Sequence, residues 1–253
     1  MMKPSNPGRR ALLMGGGAAI VAGRPRGAAA RRPGNGPWAV ELFTSQGCSS
    51  CPPADAFLGR LAKRPDIVAL SFHVDYWDYI GWKDPFASRE TTERQRGYAK
   101  ALKQRYVYTP EMVVDGIGHD SGREPGQIEA LLAKAQGLAP RRATPELSRT
   151  IGGPLTIKLA AFTLRHGPAD VTLAIYDRRN NTAVASGENQ GRTLENFNIV
   201  RHLELVSRWD GAPASWSIAA ERIQPTQGVA VLVQQAECGP MIGCNKLEPA
   251  YSG

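Results

Sequence analysis

Apolar and polar positions change rhythm near the middle of the chain. Trp38 to Ser45 (WAVELFTS) is a short, mostly apolar run that predicts a strand, entered from a Pro/Gly-rich leader at residues 31–37 (RRPGNGP). Ala54, Phe57, Leu58 and Leu61 then recur at i, i+3, i+4 and i+7, the apolar stripe of a helix over 54–63. Pro52 and Pro53 stand at its first turn, where a missing N–H costs little. Ile67 to Val74 (IVALSFHV) is a continuous run rich in β-formers, as a buried parallel strand should be. A helix over 88–105, a strand within YVYTPEMVVDG (106–116) entered through Thr109-Pro110, and a helix over 127–136 continue the alternation. Alternating strands and helices predict an α/β domain with central parallel strands over 38–136. Residues 137–154 (GLAPRRATPELSRTIGGP) have linker composition. Beyond them LTIKLAAFTL, DVTLAIYD, IVRHLELVSRW, SWSIA and VAVLVQQ are short β-rich segments with no convincing helix between them. They predict a smaller all-β, sandwich-like domain over 155–253.

Composition changes this picture at one place. With 42% hydrophobic and 21% charged residues the 253-residue chain is ordinary for a globular protein. Its net charge of +8 is concentrated at the start: Lys3, Arg9, Arg10, Arg24 and Arg26 lie in residues 1–30 with no acid among them, and without them +3 remains. A positive start, an apolar stretch from Ala11 to Gly23 and the small residues Ala28-Ala29-Ala30 have the order of a cleaved export signal. Arg9-Arg10 with a weakly apolar, Gly-rich core resembles a twin-arginine signal, although Gly8 stands where a Ser is usual, so an ordinary secretory signal is the alternative. The stretch is too short to span a membrane and no later window comes close, so no membrane span is expected after signal removal. The expected location is periplasmic or secreted. No basic patch interleaved with aromatics remains, which argues against nucleic acid as a partner.

Export makes oxidised cysteines stable. Cys48 and Cys51, in CSSC, admit three readings on their own: a redox pair, half a metal site or a plain staple. Their place between a strand and a helix favours redox chemistry, because unsatisfied N–H groups and the positive end of the helix dipole stabilise a thiolate, and only the thiolate attacks disulfides. In that reading Cys48 attacks and Cys51 resolves. The loop after the second strand (DYWDYIGWKDPFAS) supplies Tyr76, Trp77 and Trp82 as a partner surface or a local mini-core, and His73 or Asp75 as a proton handler near Cys51 or as structural groups. Cys238 and Cys244, in ECGPMIGC, flank a Gly-Pro turn and are expected to close a structural disulfide, with a second redox couple or a regulatory thiol as alternatives. A zinc site built from both pairs fits the spacing poorly.

The strand, Cys48-Ser49-Ser50-Cys51, helix, second strand, helix and Thr109-Pro110 together resemble the thioredoxin superfamily over residues 38–136. The resemblance implies a cis-proline at Pro110 facing the cysteines, with Thr109 offering its backbone to a substrate chain. More closely, ELFTSQGCSSCPPAD, SFHVDYWDYIGWKDPFAS, YTPEMVV and ENQGRTLENFNIVR resemble a bacterial exported, thioredoxin-like family, domain-of-unknown-function family 1223. The expected function is thiol–disulfide exchange on protein or peptide thiols and disulfides through Cys48 and Cys51, with a separate redox partner and no cofactor or metal. The alternative is a non-enzymatic module that binds a partner, or Cu(I) through Cys48, Cys51 and His73 or Met112.

Overall fold

A computed structural model describes residues 1–2, 36–138 and 141–249, so the export signal read over residues 1–30 lies outside the described residues apart from its first two. The described residues from 36 onward belong to one compact unit. Its first strand, β1 (Trp38–Thr44), leads through the cysteine turn into α1 (Pro52–Ala62) and back to β2 (Ile67–His73), which pairs with β1 in parallel. A 3₁₀ turn (Asp75–Ile80) precedes α2 (Arg89–Ala101), which Ser88 caps by accepting the Thr91 N–H. This helix ends before the expected 105 because Lys103 takes a left-handed φ of 56°. β3 (Glu111–Val114) starts only after Pro110, which has no N–H to give to a ladder, and turns at Asp115-Gly116 into the short β4 (Gly118–Asp120). α3 (Pro125–Leu138) completes this half.

The second half consists of β5 (Glu146–Arg149), β6 (Leu155–Leu159), the long hairpin β7 (Ala169–Ala183) and β8 (Thr193–Trp209), β9 (Ala214–Ile218), a 3₁₀ turn (Ala220–Arg222), β10 (Gln227–Gln235) and β11 (Met241–Leu247). The expectation of an α/β thioredoxin-like domain followed by a smaller β domain is overturned here. Eight strands from both halves make one mixed sheet in the order β11-β10-β7-β8-β2-β1-β3-β4, and strand outweighs helix by 40% to 22%. The seam is β8 beside β2, joined at Ser71 and Ile199 and by the Asn198 side-chain amide donating to the Ala69 carbonyl at 2.8 Å. The physical reason lies in β2 itself. A strand buried on both faces needs a neighbour on each edge, β1 fills one, and the 17-residue β8 is long enough to run on from its hairpin with β7 and fill the other.

Alternation along β1 and β2 sorts their side chains onto two faces. Val40, Leu42, Ile67 and Ala69 pack with Phe57, Leu58 and Leu61 of α1 and Ile128 and Leu132 of α3. Phe43, Val68, Leu70 and Phe72 pack with Tyr98 of α2 and extend to Tyr176, Ala230 and Leu232. A third core joins β6 to the outer face of β7 and β10 through Leu155, Ile157, Leu173, Ile175 and Val231, so the three-stranded sheet β5-β6-β9 covers the far end of the large one. α1 also presses on β8: a Cβ at Gly59 would lie 2.5 Å from the Phe197 ring, so glycine is required for that approach.

The expected Cys238–Cys244 disulfide does not form, and both thiols are free. Cys238 sits at the apex of the β10–β11 hairpin against Gly97 and the Arg94 carbonyl. Cys244 lies inside β11 opposite Leu232, with its thiol donating to the Pro37 carbonyl. Three residues of strand past the hairpin's end, about 10 Å, is beyond the roughly 7 Å that a disulfide can bridge. Burial pushes the Cys244 thiol up to about 12 and raises that of Cys238, so neither is primed to react.

Candidate functional site

β1 ends at Thr44 and the chain turns at once, with the Cys48 N–H donating to the Ser45 carbonyl at 3.1 Å and the Cys51 N–H to the Cys48 carbonyl at 3.2 Å. Cys51 is the N-cap of α1, followed by Pro52 and Pro53, and the Asp55 N–H donates to its carbonyl at 3.1 Å. Cys48 and Cys51 are joined by a disulfide with their Cα atoms 5.5 Å apart. Both residues are 0% exposed, whereas Ser49 and Ser50 between them face solvent. The Ser50 hydroxyl lies 3.4 Å from the Cys48 sulfur.

The Thr109–Pro110 bond is cis, and the pairing of Phe43 with Glu111 sets it beside the end of β1 that delivers the cysteines. The aromatic segment covers the same place. Trp77 donates its indole N–H to the Thr109 hydroxyl at 2.7 Å, and a Cβ on Gly47 would meet the Trp77 Cβ at 3.2 Å. Trp82 donates to the Gln46 side-chain carbonyl at 3.1 Å. Tyr76 donates its hydroxyl to the Gln95 side-chain carbonyl at 3.1 Å and lies near Thr109, while Tyr79 stands 83% exposed. Trp77 and Trp82 are therefore walls of the cysteine turn, and Tyr79 is its outward-facing aromatic.

Beneath the turn, on the α1 face, the strand ends become polar. His73 is buried and sets Nδ1 2.7 Å from a carboxylate oxygen of Asp84, which also accepts the Gln46 N–H at 2.8 Å. Asp75, the other expected proton handler, is not brought to the cysteines; it accepts from the Thr92 hydroxyl at 2.6 Å and fastens the 3₁₀ turn to α2. The carboxylate under the disulfide is instead Asp55, one helical turn after Cys51, and a helical side chain leans back over the turn before it. Burial raises the Asp55 pKa from 3.8 to about 7, against the opposing pull of His73. For His73 burial acts downward, but the Asp84 charge and hydrogen bond prevail and its pKa is raised, while that of Asp84 is lowered by His73 in spite of burial. His73 Nε2 and Ser71 Oγ, both on this face, are buried without a hydrogen-bond partner among the described residues, while the Thr44 hydroxyl and the Asn196 side chain lie near enough to the Asp55 carboxyl to pull its pKa down against burial. Such atoms are uncommon in folded proteins.

The remaining wall comes from the far half of the chain. The tip between β7 and β8 places Asn189 so that its amide donates to the Gln46 and Cys48 carbonyls at 2.9 and 3.0 Å. Glu188 accepts the Ser49 N–H at 3.0 Å, and the Ser186 hydroxyl donates to the Gly81 carbonyl. Asn196 of β8 accepts from the Gln46 side-chain amide at 3.0 Å. A description of this site from the sequence omits Asp55, Asp84, Glu188 and Asn189. Asp55 was findable as the one acid on an apolar helix stripe beginning at the cysteines; the others carry no local signal. Met112, a candidate soft ligand, is buried in the core between the sheet and α1 and α3. No group of three or more His, Cys, Asp or Glu among the described residues is arranged to hold a metal ion.

The family model described as "Protein of unknown function (DUF1223)" matches residues 39–234, which include this turn, the aromatic segment and the β7–β8 tip. The chain belongs to the DUF1223 family. Among solved structures, this DUF1223 member is similar to a protein of Agrobacterium tumefaciens determined by X-ray crystallography, at 34% identity and a TM-score of 0.73, over 86% of this chain and 96% of that one. No curated protein matches. Neither comparison supports membership of the thioredoxin superfamily. No helix among the described residues is long and apolar enough to cross a membrane.

Proposed function

We propose that the protein exchanges thiols and disulfides with protein or peptide partners through Cys48 and Cys51, in an oxidising compartment reached by export. The observation that carries the reading is the placement of the disulfide at the N-terminus of α1, one helical turn before the buried Asp55. An incoming thiolate attacks the Cys48 sulfur, the S–S bond breaks, and its electron pair leaves on the Cys51 sulfur. Asp55, poised near neutrality, gives that sulfur its proton and takes it back in the reverse direction, with His73 and Asp84 as the charged pair beside it. A second partner thiol then attacks the mixed disulfide and frees Cys48, so the partner dithiol becomes a disulfide and the protein a dithiol. What this turn shares with thioredoxin-like sites is local, a strand, C-x-x-C, a helix and an adjacent Thr-Pro bond, and the reading rests on that chemistry alone.

Turnover of a disulfide-linked peptide with dithiothreitol as donor tests it. The intact protein is expected to exceed the uncatalysed rate, and Cys48→Ala to fall to that background. An intact protein no faster than dithiothreitol alone, or a Cys48→Ala variant with full activity, refutes the proposal.

A further inference from the structure

The β7–β8 tip does more to the cysteine turn than cover it. The start of α1 has few N–H groups to offer a Cys48 thiolate once the disulfide opens, because Pro52 and Pro53 have none and the Ala54 and Asp55 N–H groups both donate to the Cys51 carbonyl, so the donors of the turn itself matter more. The Ser49 N–H is already committed, and to an anion, because the Glu188 carboxylate accepts it at 3.0 Å. Reduction therefore creates a negative sulfur on the residue next to the one whose N–H holds this carboxylate, in a turn with one donor fewer to offer. Asn189, fully buried, pins the same tip to the Cys48 carbonyl, and Arg192 donates to the Asn189 side-chain carbonyl at 2.7 Å, so the carboxylate is held in place. Nearby charges on the other packed elements are Asp55 on α1, His73 on β2 and Asp84 beyond the aromatic turn.

We propose that Glu188 is a positioning residue that sets the redox poise of the Cys48–Cys51 couple, favouring the disulfide by disfavouring the Cys48 thiolate. The second half of the chain would then supply the control element for chemistry carried by the first. The proposal depends on the exchange reading for its use but not for its measurement, because any disulfide has an equilibrium constant against a reference dithiol.

The experiment equilibrates the full chain with dithiothreitol redox buffers at pH 8 and counts thiols after alkylation. Glu188→Gln is expected to raise the equilibrium constant for reduction about threefold and Glu188→Lys about tenfold, equivalent to roughly 15 and 30 mV for a two-electron couple. Because Glu188 is exposed, 1 M salt should shrink the gap between the intact protein and Glu188→Lys, which a purely structural role would not do. Equal constants across the three proteins, or a gap indifferent to salt, overturn the proposal. Shifted constants in a protein without turnover support it while refuting the exchange reading; turnover with unshifted constants does the reverse.

Discussion

The two faces of the large sheet bury charge in opposite ways. On the α2 face Glu41 is held by Arg94 through two hydrogen bonds of 2.5 and 2.9 Å, by the Tyr98 hydroxyl at 2.5 Å, and through Arg94 and Tyr98 by Gln234. None of these side chains is among the buried atoms left without a partner. On the α1 face, a few residues further along the same strands, His73 Nε2 and Ser71 Oγ lack one among the described residues. A closed network fixes a single geometry and leaves nothing to react, whereas an open one keeps groups whose protonation can change. Buried charge alone therefore does not locate a site in this protein; unfinished hydrogen bonding narrows the search only together with the nearby cysteines, since Gln104 Oε1 and Arg142 Nε also lack a partner.

Breaking the closed network should have the largest effect. Arg94→Met strands the Glu41 carboxylate, and a loss of about 3–5 kcal/mol in urea unfolding is expected, with the Cys48–Cys51 equilibrium constant unchanged. A variant of full stability would place the two faces in the same class. Asp55→Asn should do the opposite. Its folded pKa of about 7 lies above 3.8, so the folded protein holds a proton that the unfolded chain has released, and stability falls as pH rises between those values. The variant is expected to be more stable than the parent at pH 8, on the order of 2 kcal/mol, and no more stable at pH 4, while exchange at pH 7 slows roughly tenfold or more. A variant that loses stability at pH 8 would make Asp55 a structural group.

His73 and Asp84 bound the comparison from both sides. The raised His73 pKa contributes stability that is complete below 6.5 and lost as pH rises through the folded value; the lowered Asp84 pKa contributes stability present above 3.8 and lost as pH falls through its own. His73→Gln is expected to flatten the alkaline arm of a thermal-melting profile, and an unchanged arm would remove His73 from the charged pair. Cys238→Ser should alter least, leaving both melting temperature and exchange rate within error, since its thiol touches the Arg94 carbonyl only loosely at 3.9 Å. A lost exchange rate would show a second redox couple.

The elements with strong local period were legible. Ala54, Phe57, Leu58 and Leu61 foretold α1, and the unbroken apolar run at Ile67 foretold β2, because burial on one or both sides leaves its mark in adjacent residues. The partner on the far edge of β2 was not legible, since strand pairing across more than a hundred residues depends on register and edge length rather than on composition. The same blindness divided one sheet into two domains and paired Cys238 with Cys244 on sequence spacing alone. At the site, the two cysteines and His73 were visible as residue types, but Asp75 was named as an alternative proton handler and Asp84, which His73 contacts, was not. Glu188 and Asn189 reach the turn from 139 and 141 residues away.

Those separations have a consequence in time. β8 and the tip before it are made long after Cys48 and Cys51, so β1, α1 and β2 must wait with one strand edge open and the cysteine turn uncovered. Contacts so distant in sequence slow folding and lengthen the life of partly folded chains. During that interval Cys48 and Cys51 lie open to Cys238 and Cys244 as they arrive, and a wrong pairing then is an error the finished fold, with its four sulfurs walled apart, no longer permits.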